Sequence, residues 1–402
     1  MKLLLIHRYF WPDAPPYGHM LLTMGKRFVR AGHEVEVFST QPSYLGSDRI
    51  EVRPAGETID GVHVRRIRLF SEVKKQTFRR LLNTAIFLFR VAFQLLLRKY
   101  DVVLFSTMPP VLLGLTVRWA LKLRGGRARY VYHCLDIYPE LALYSGLIRD
   151  GWLYRLLRTM DKATCQEAAA VVVLSEDMKE TLLERGLASE RIHVINSFFL
   201  NGSPSGSLPA MPARAPGDFI VIFAGNMGRF QSLETVIEAA HLLASEAAIQ
   251  FWFLGEGLMK DELIRLSGEL LAETVHFIPY QPPPVASQIL RLSDLSLVAL
   301  NRGIYRCAYP SKTLANLAAG CRLLVMMEAE SELVRMVMDN NLGSWCRQND
   351  PDMLAAAIRK EAAQAGTHDR ERLRQYAHRH FGPDTILDSW MEKIIEPLGG
   401  DE

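Results

Sequence analysis

Two strings in the second half of the chain combine glycine, a cation and the start of a helix. The first, Gly225-Asn226-Met227-Gly228-Arg229, follows the apolar run FIVIFAG and precedes a helix expected from about residue 233 to 245. A strand, a glycine turn and a helix N-terminus make an anion site, because converging backbone N–H groups and the helix dipole both favour phosphate. Arg229 would add a charge-assisted contact. The second string, Tyr309-Pro310-Ser311-Lys312, opens the helix TLANLAAG, with Ser311 read as its N-cap and Gly320 as its end. A lysine at a helix start opposes the dipole unless an anion is also there. A phosphate between Arg229, Lys312 and two helix N-termini resolves that conflict. A plain βα turn with an exposed arginine, and a lysine swung into solvent, are the bland alternatives.

In the first half, His133 ends the strand ARYVYH and Asp136 follows it in HCLDIYPE. An imidazole at a strand end can donate to a sugar hydroxyl or phosphate oxygen. Asp136 can accept a hydroxyl's hydrogen bond or cap the turn before Pro139. The pair Asp350 and Asp352 looks like a metal-binding D-x-D string, yet it directly precedes DMLAAAIRK and reads as an N-cap with proline in the first turn. No metal site, G-x-S-x-G elbow or Walker A loop is expected.

These residues need rigid supports, and the chain supplies a βα alternation twice. LLLI, EVEVFS, VHVRRIR, VVLFS, ARYVYH and AVVVLS are strands with helical stretches between most of them. Residues 201–217, NGSPSGSLPAMPARAPG, have a linker composition. The rhythm then restarts with FIVIFAG, FWFLG, VHFI, LSLVAL and LLVM. The fold expected is α/β: two Rossmann-like, doubly wound domains facing a central cleft. Their bounds are 1–200, a linker at 201–217, 218–382, and a C-terminal helix within 383–402 that crosses back to the first domain.

The 402 residues exceed what one core usually organises. With 49% hydrophobic and 23% charged residues the composition is globular, which argues against disorder and a multi-span membrane protein. The net charge of +3 averages unlike halves: residues 1–200 hold 29 Lys/Arg against 19 Asp/Glu, residues 201–402 hold 18 against 25. The basic half should favour anionic surfaces. Phosphate features confined to a cleft argue for a membrane surface and against nucleic acid. Five scattered cysteines fit a reduced cytoplasmic setting. The apolar stretch from Leu81 to Leu97 is short for a bilayer span. Arg80, Asn83, Arg90, Gln94 and Arg98 form one stripe of it, expected to be the wet edge of a buried helix or the polar edge of one lying in a membrane interface, helped by Lys74 and Lys75.

Taken in order, RYFWPD, RAGHEVEVFS, DGVHVRRI, HCLDIYPE, AAAVVVLSEDM, FAGNMGRFQSLETVIEAA, FLGEG, YPSKTLANLAAG, ESELVRMV and NDPDMLAAAI resemble a bacterial family 4 glycosyltransferase of the GT-B fold, of the O-antigen, capsule and colanic-acid assembly type. The resemblance implies transfer of a hexose-type sugar from a nucleotide-sugar to a polyprenyl-diphosphate-linked saccharide, with retention and without metal or other cofactor. It implies work at the cytoplasmic face of the inner membrane. By the same resemblance Gly225, Asn226, Gly228, Arg229, Ser311 and Lys312 hold the donor diphosphate, Gly18 belongs to the first glycine-bearing loop, and His133 steadies the transferred sugar. Two departures stand out. Ala315 and Cys307 occupy positions where many members place glutamates, so Glu332, Glu328 or Glu330 is left to supply a carboxylate. Gln231 replaces a common lysine. An inactive scaffolding relative and a sugar-nucleotide epimerase are the alternatives.

Overall fold

Hydrophobic runs of four to seven residues fill two β-sheets in the computed structural model, which describes residues 1–13, 15–43, 52–70, 77–126, 128–200, 207–246 and 248–400. Lys74, Lys75 and residues 201–206 of the expected linker lie outside them. The chain divides into two compact units, one of Met1–Asn196 with Asp384–Glu402 and one of Ser197–Pro383. The expected first boundary at residue 200 therefore falls at 196, and the last segment belongs to the first unit.

The first unit is built on β1 (Lys2–Ile6), β2 (Glu34–Thr40), β3 (Gly56–Ile59), β4 (Val62–Ile67), β5 (Val102–Ser106), β6 (Arg129–His133), β7 (Ala170–Val173) and β8 (Ile192–Val194). They lie in the order β3-β4-β2-β1-β5-β6-β7-β8. All neighbours run parallel except β3, which closes one edge as a hairpin with β4. The second unit uses β9 (Phe219–Ala224), β10 (Ile249–Leu254), β11 (Val275–Ile278), β12 (Leu295–Ala299), β13 (Arg322–Met326) and β14 (Gly343–Cys346). Its order, β11-β10-β9-β12-β13-β14, is the parallel dinucleotide-fold order that reverses beside the first strand. β3, β8 and β14 escape sequence reading because they are three or four residues long and pair at or beside sheet edges.

Strands buried on both faces read as continuous apolar runs. Phe219, Val221, Phe223, Phe251 and Phe253 pack one face of the second sheet, while Ile220, Ile222, Trp252 and Leu254 pack the other. In the first unit, α1 (Pro16–Arg30), α2 (Thr77–Leu97) and α3 (Leu112–Leu123) cover sheet surface. Asp350 accepts from Met353 N at 2.9 Å and caps Pro351–Ala363, so the D-x-D string is a helix start.

The polar stripe of α2 divides: Asn83 and Gln94 are buried on the packed face with Phe87, Val91 and Leu95, whereas Arg80, Arg90 and Arg98 are exposed. Asn83 bonds Phe70 through both N–H and C=O at 2.9 Å. Gln94 donates to Glu36 Oε1 at 2.8 Å, and Tyr100 donates to Glu36 Oε2 at 3.0 Å. Polar side chains on a buried stripe are satisfied by partners that periodicity cannot show. Phe78, Leu81, Phe89 and Phe93 are outside.

Candidate active site

In the first unit, β6 delivers His133 to the sheet's C-terminal edge, where it is 3% exposed. Tyr17, in the first turn of α1, has its hydroxyl 2.8 Å from His133 Nδ1. Trp390, in the helix Pro383–Trp390, meets the imidazole edge-on with centroids 4.8 Å apart. Burial and the neighbouring His7 push the His133 pKa down to about 3, so the ring is neutral. Burial holds the Tyr17 phenol well above its usual range, so it keeps its proton. A protonated phenol beside a neutral imidazole donates to Nδ1, which leaves the ring's proton on Nε2. Nε2 is buried with no hydrogen-bond partner among the described residues. His7, its own pKa lowered to about 3 by burial, lies edge-on to Tyr17 and bonds Ser106 Oγ at 2.5 Å.

Asp136 lies three residues beyond β6 on a loop braced from two sides. Thr107 Oγ1 accepts from Leu135 N at 3.0 Å and from Asp136 N at 3.3 Å. Arg185, fully buried, donates to Tyr138 O, to Asp161 at 2.6 Å and to Glu140. Burial raises the Asp136 pKa to about 6. Gly18 is needed for packing: a Cβ there would stand 2.9 Å from Tyr9 O and 3.0 Å from Phe10 Cα. It lets α1 start against that loop and so aims Tyr17 at His133.

In the second unit, β9 is followed directly by Gly225, whose φ of +130° suits glycine. Lys312 Nζ lies 3.7 Å from where a Gly225 Cβ would sit and 3.7 Å from the Phe223 ring centroid. The amine is buried with no hydrogen-bond partner among the described residues, and burial lowers its pKa to about 7. Gly228 N donates to Gln231 Oε1 at 3.0 Å, so the residue standing in place of a lysine tightens the turn. Asn226 and Arg229 are exposed on it. Gly257 permits close stacking of the next loop, since a Cβ there would come within 2.2 Å of Met227 O.

The helix after Arg229 is Leu233–Leu242, beginning where the sequence placed it; Ser232 precedes it in a left-handed conformation, and Arg229 lies in the loop before it. That loop is braced by Asn301, which donates through Nδ2 to Arg229 O at 2.9 Å and accepts from Ser232 Oγ at 2.8 Å. Ser311 stands before Lys312–Ala319 with helical dihedrals and makes no side-chain cap, so it is exposed and not a closing cap. Glu328 accepts from Gly303 N and Gln348 Nε2, both at 2.6 Å, and so braces loops. Glu332 instead opens the helix Glu332–Asp339, which Ser331 caps. Cys307 is buried and Ala315 exposed. Nothing in the sequence paired Tyr17, Trp390, Thr107, Arg185 or Asn301 with their partners, which lie 24 to 257 residues away. (Tyr17 at the start of a glycine-bearing helix was the nearest to visible.)

Residues 17–197 match the Glycosyl transferase 4-like domain and residues 209–380 match Glycosyl transferases group 1. The chain is 30% identical to a probable glycosyltransferase, WbjE of Pseudomonas aeruginosa, over 68% of each chain. This chain is a family 4 glycosyltransferase of the GT-B fold. The glycosyltransferase is also 26% identical, over 98% of its length and all of its relative's, to WcaI of Escherichia coli K12, a putative colanic acid biosynthesis glycosyl transferase. Similar solved folds include WaaG, a glycosyltransferase involved in lipopolysaccharide biosynthesis (TM-score 0.66, 15% identity, 96% and 98% coverage). Another is Anabaena HepE in complex with UDP-glucose (TM-score 0.65, 16% identity, 98% and 100% coverage).

Proposed function

We propose that this glycosyltransferase moves a hexose from a nucleotide-sugar to a saccharide carried on polyprenyl diphosphate, with retention and without metal, in bacterial surface-polysaccharide assembly at the cytoplasmic face of the inner membrane. The observation that carries the donor assignment is the buried, unpartnered Lys312 amine beside Gly225. Burying a cation without a counter-charge is costly, and a donor diphosphate would remove that cost. Gly225, Asn226, Gly228, Arg229 and Ser311 surround the same loop ends, and Glu332 is the carboxylate assigned to the nucleotide. The relatives named for polysaccharide synthesis and the UDP-glucose complex of HepE support this reading.

In the transfer, the bond from C1 of the sugar to the diphosphate oxygen breaks. A bond from C1 to the acceptor hydroxyl oxygen forms, and the hydroxyl proton passes to the departing diphosphate. Arg229 and Lys312 stabilise the charge gathering on that leaving group. His133 Nε2–H donates to a hydroxyl of the transferred sugar, and ionised Asp136 accepts from the acceptor hydroxyl. The test is transfer from UDP- and GDP-hexoses in the presence of a chelator. Arg229→Ala and Lys312→Ala should each lower kcat/KM by about tenfold to a hundredfold, the loss of one charged hydrogen bond. Unchanged transfer in both would remove the assignment.

Ala315 and Cys307, in place of glutamates, favour one second reading: a partner that binds without transferring. Calorimetry separates the two, since a scaffolding protein should bind neither UDP- nor GDP-sugars.

A further inference from the structure

The outer face of α2 exposes Phe78, Leu81, Phe89, Phe93 and Leu97. By length and composition the helix could cross a bilayer, but 28% of its most apolar stretch is buried against the first unit. Its packed face carries Asn83 and Gln94, whose partners Phe70, Glu36 and Tyr100 would be stranded if the helix left. The helix is therefore held in place with its other face outward. On that face Phe89 and Phe93 stack at 6.3 Å, and Phe89 is 68% exposed. A shallow apolar groove joins α2 to α3 through Leu96, Leu112, Trp119 and Leu123. Trp119 is 55% and Leu123 76% exposed. Soluble surfaces rarely leave aromatic and aliphatic groups contiguous on this scale without an occupant.

Charge selects the occupant. Residues 77–135 hold ten Lys/Arg and a single carboxylate, Asp101. Asp101 accepts from Lys2 N at 2.6 Å. Arg90, Arg98 and Lys99 are exposed on or just beyond α2. The Arg118 guanidinium lies 5.2 Å and the Lys122 amine 5.7 Å from the Trp119 ring. Both also donate to Glu167, at 2.5 and 2.8 Å, and Arg98 pairs with Glu36. Arg90 and Lys99 therefore add the charge that those carboxylates do not offset. Two copies meeting through this face would oppose cation to cation. An anionic lipid surface would neutralise the rim while its acyl boundary takes up the aromatics.

We propose that α2 and α3 form a monotopic lipid-binding face, lying in the headgroup region of an anionic bilayer with Phe89, Phe93 and Trp119 inserted. This rests on the reading that the acceptor is lipid-linked, since it gives the first unit a reason to lie on the membrane that holds that acceptor.

The test is flotation of the full chain with phosphatidylcholine vesicles and with vesicles containing phosphatidylglycerol, at low and high salt, beside sedimentation velocity. The wild type should float with the anionic vesicles, and less so at high salt. Phe89→Asp with Phe93→Asp should lower partitioning by about tenfold or more, as expected for withdrawing two apolar rings. Leu258→Asp, at an exposed position of the second unit, should float as wild type. All three should keep the same thermal transition and the same transfer to a lipid-free saccharide acceptor. A wild type that floats with neither vesicle overturns the proposal, as does a double variant that floats unchanged. A dimer abolished by the double variant, without vesicle binding by the wild type, assigns the face to a second copy. Vesicle binding without transfer to any acceptor defeats the lipid-linked-acceptor reading and leaves the face standing.

Discussion

Lys312 and His133 are both buried polar groups with an unpaired nitrogen among the described residues, but only Lys312 titrates near neutrality. The Lys312 pKa of about 7 means that, above neutrality, binding an anionic diphosphate must also bring a proton to the amine. The protonated form binds, so nucleoside-diphosphate affinity should weaken as pH rises from 7 to 9, approaching about tenfold per unit, with proton uptake seen by calorimetry in buffers of different ionisation enthalpy. Lys312→Ala should bind weakly and lose this slope. Asp136 works with the other sign. Its carboxylate, with pKa about 6, is the competent form above that pH, so kcat/KM should fall as pH drops through 6. Asp136→Asn should remove the acid limb along with much of the rate. His133 stays neutral throughout this range, and its proton is placed on Nε2 by Tyr17. Tyr17→Phe should therefore lower kcat by roughly tenfold, the worth of one buried hydrogen bond, with the donor KM little changed. The positions of His133 at a strand end and Lys312 at a helix start were legible in the sequence because strand ends and helix starts are legible. Tyr17 was not, because its partner lies 116 residues away.

At the level of elements, the apolar runs of β1, β9 and β10 declare themselves, since both faces of a parallel sheet are buried. Helix α2 shows where periodicity misleads. A stripe of Asn, Gln and Arg has the same pattern whether it meets water or a buried Glu36, and only the tertiary partners decide. Ser311 shows the same limit at a helix start, where a residue of capping type makes no cap. Turns are governed by close approach, which sequence records only as glycine. Gly18→Ala would drive a Cβ into the backbone of Tyr9 and Phe10, where no side chain can yield. A cost of about 1–3 kcal/mol in unfolding free energy and a loss of kcat through Tyr17 are expected. Arg185 braces the loop between β6 and the helix Glu140–Tyr144 against two carboxylates, Asp161 and Glu140. Arg185→Met would leave buried Asp161 without its cation, although Glu140 keeps Arg158, and urea unfolding should record a loss of about 3–5 kcal/mol.

The whole molecule is two units whose chain paths are not two consecutive halves, because Asp384–Glu402 belongs to the first unit. That return places Trp390, 1% exposed, edge-on to His133, and the Arg27 guanidinium 2.7 Å from Asp388. The sequence led us to expect a terminal helix crossing back to the first domain, but nothing in it placed Trp390 beside the imidazole. The arrangement separates stability from donor binding in a measurable way. Trp390→Ala removes a buried aromatic from the first unit at a cost of about 3–5 kcal/mol and frees the imidazole to turn. The residues proposed to hold the diphosphate all lie between Gly225 and Glu332, in the second unit. Calorimetric scanning should therefore show the first unit's transition fall while the second unit's is kept. Nucleoside-diphosphate affinity should stay at the wild-type value while kcat drops. Equal losses of affinity and kcat would show that the terminal helix supports the donor site itself, and would end the assignment of Trp390 to His133 alone.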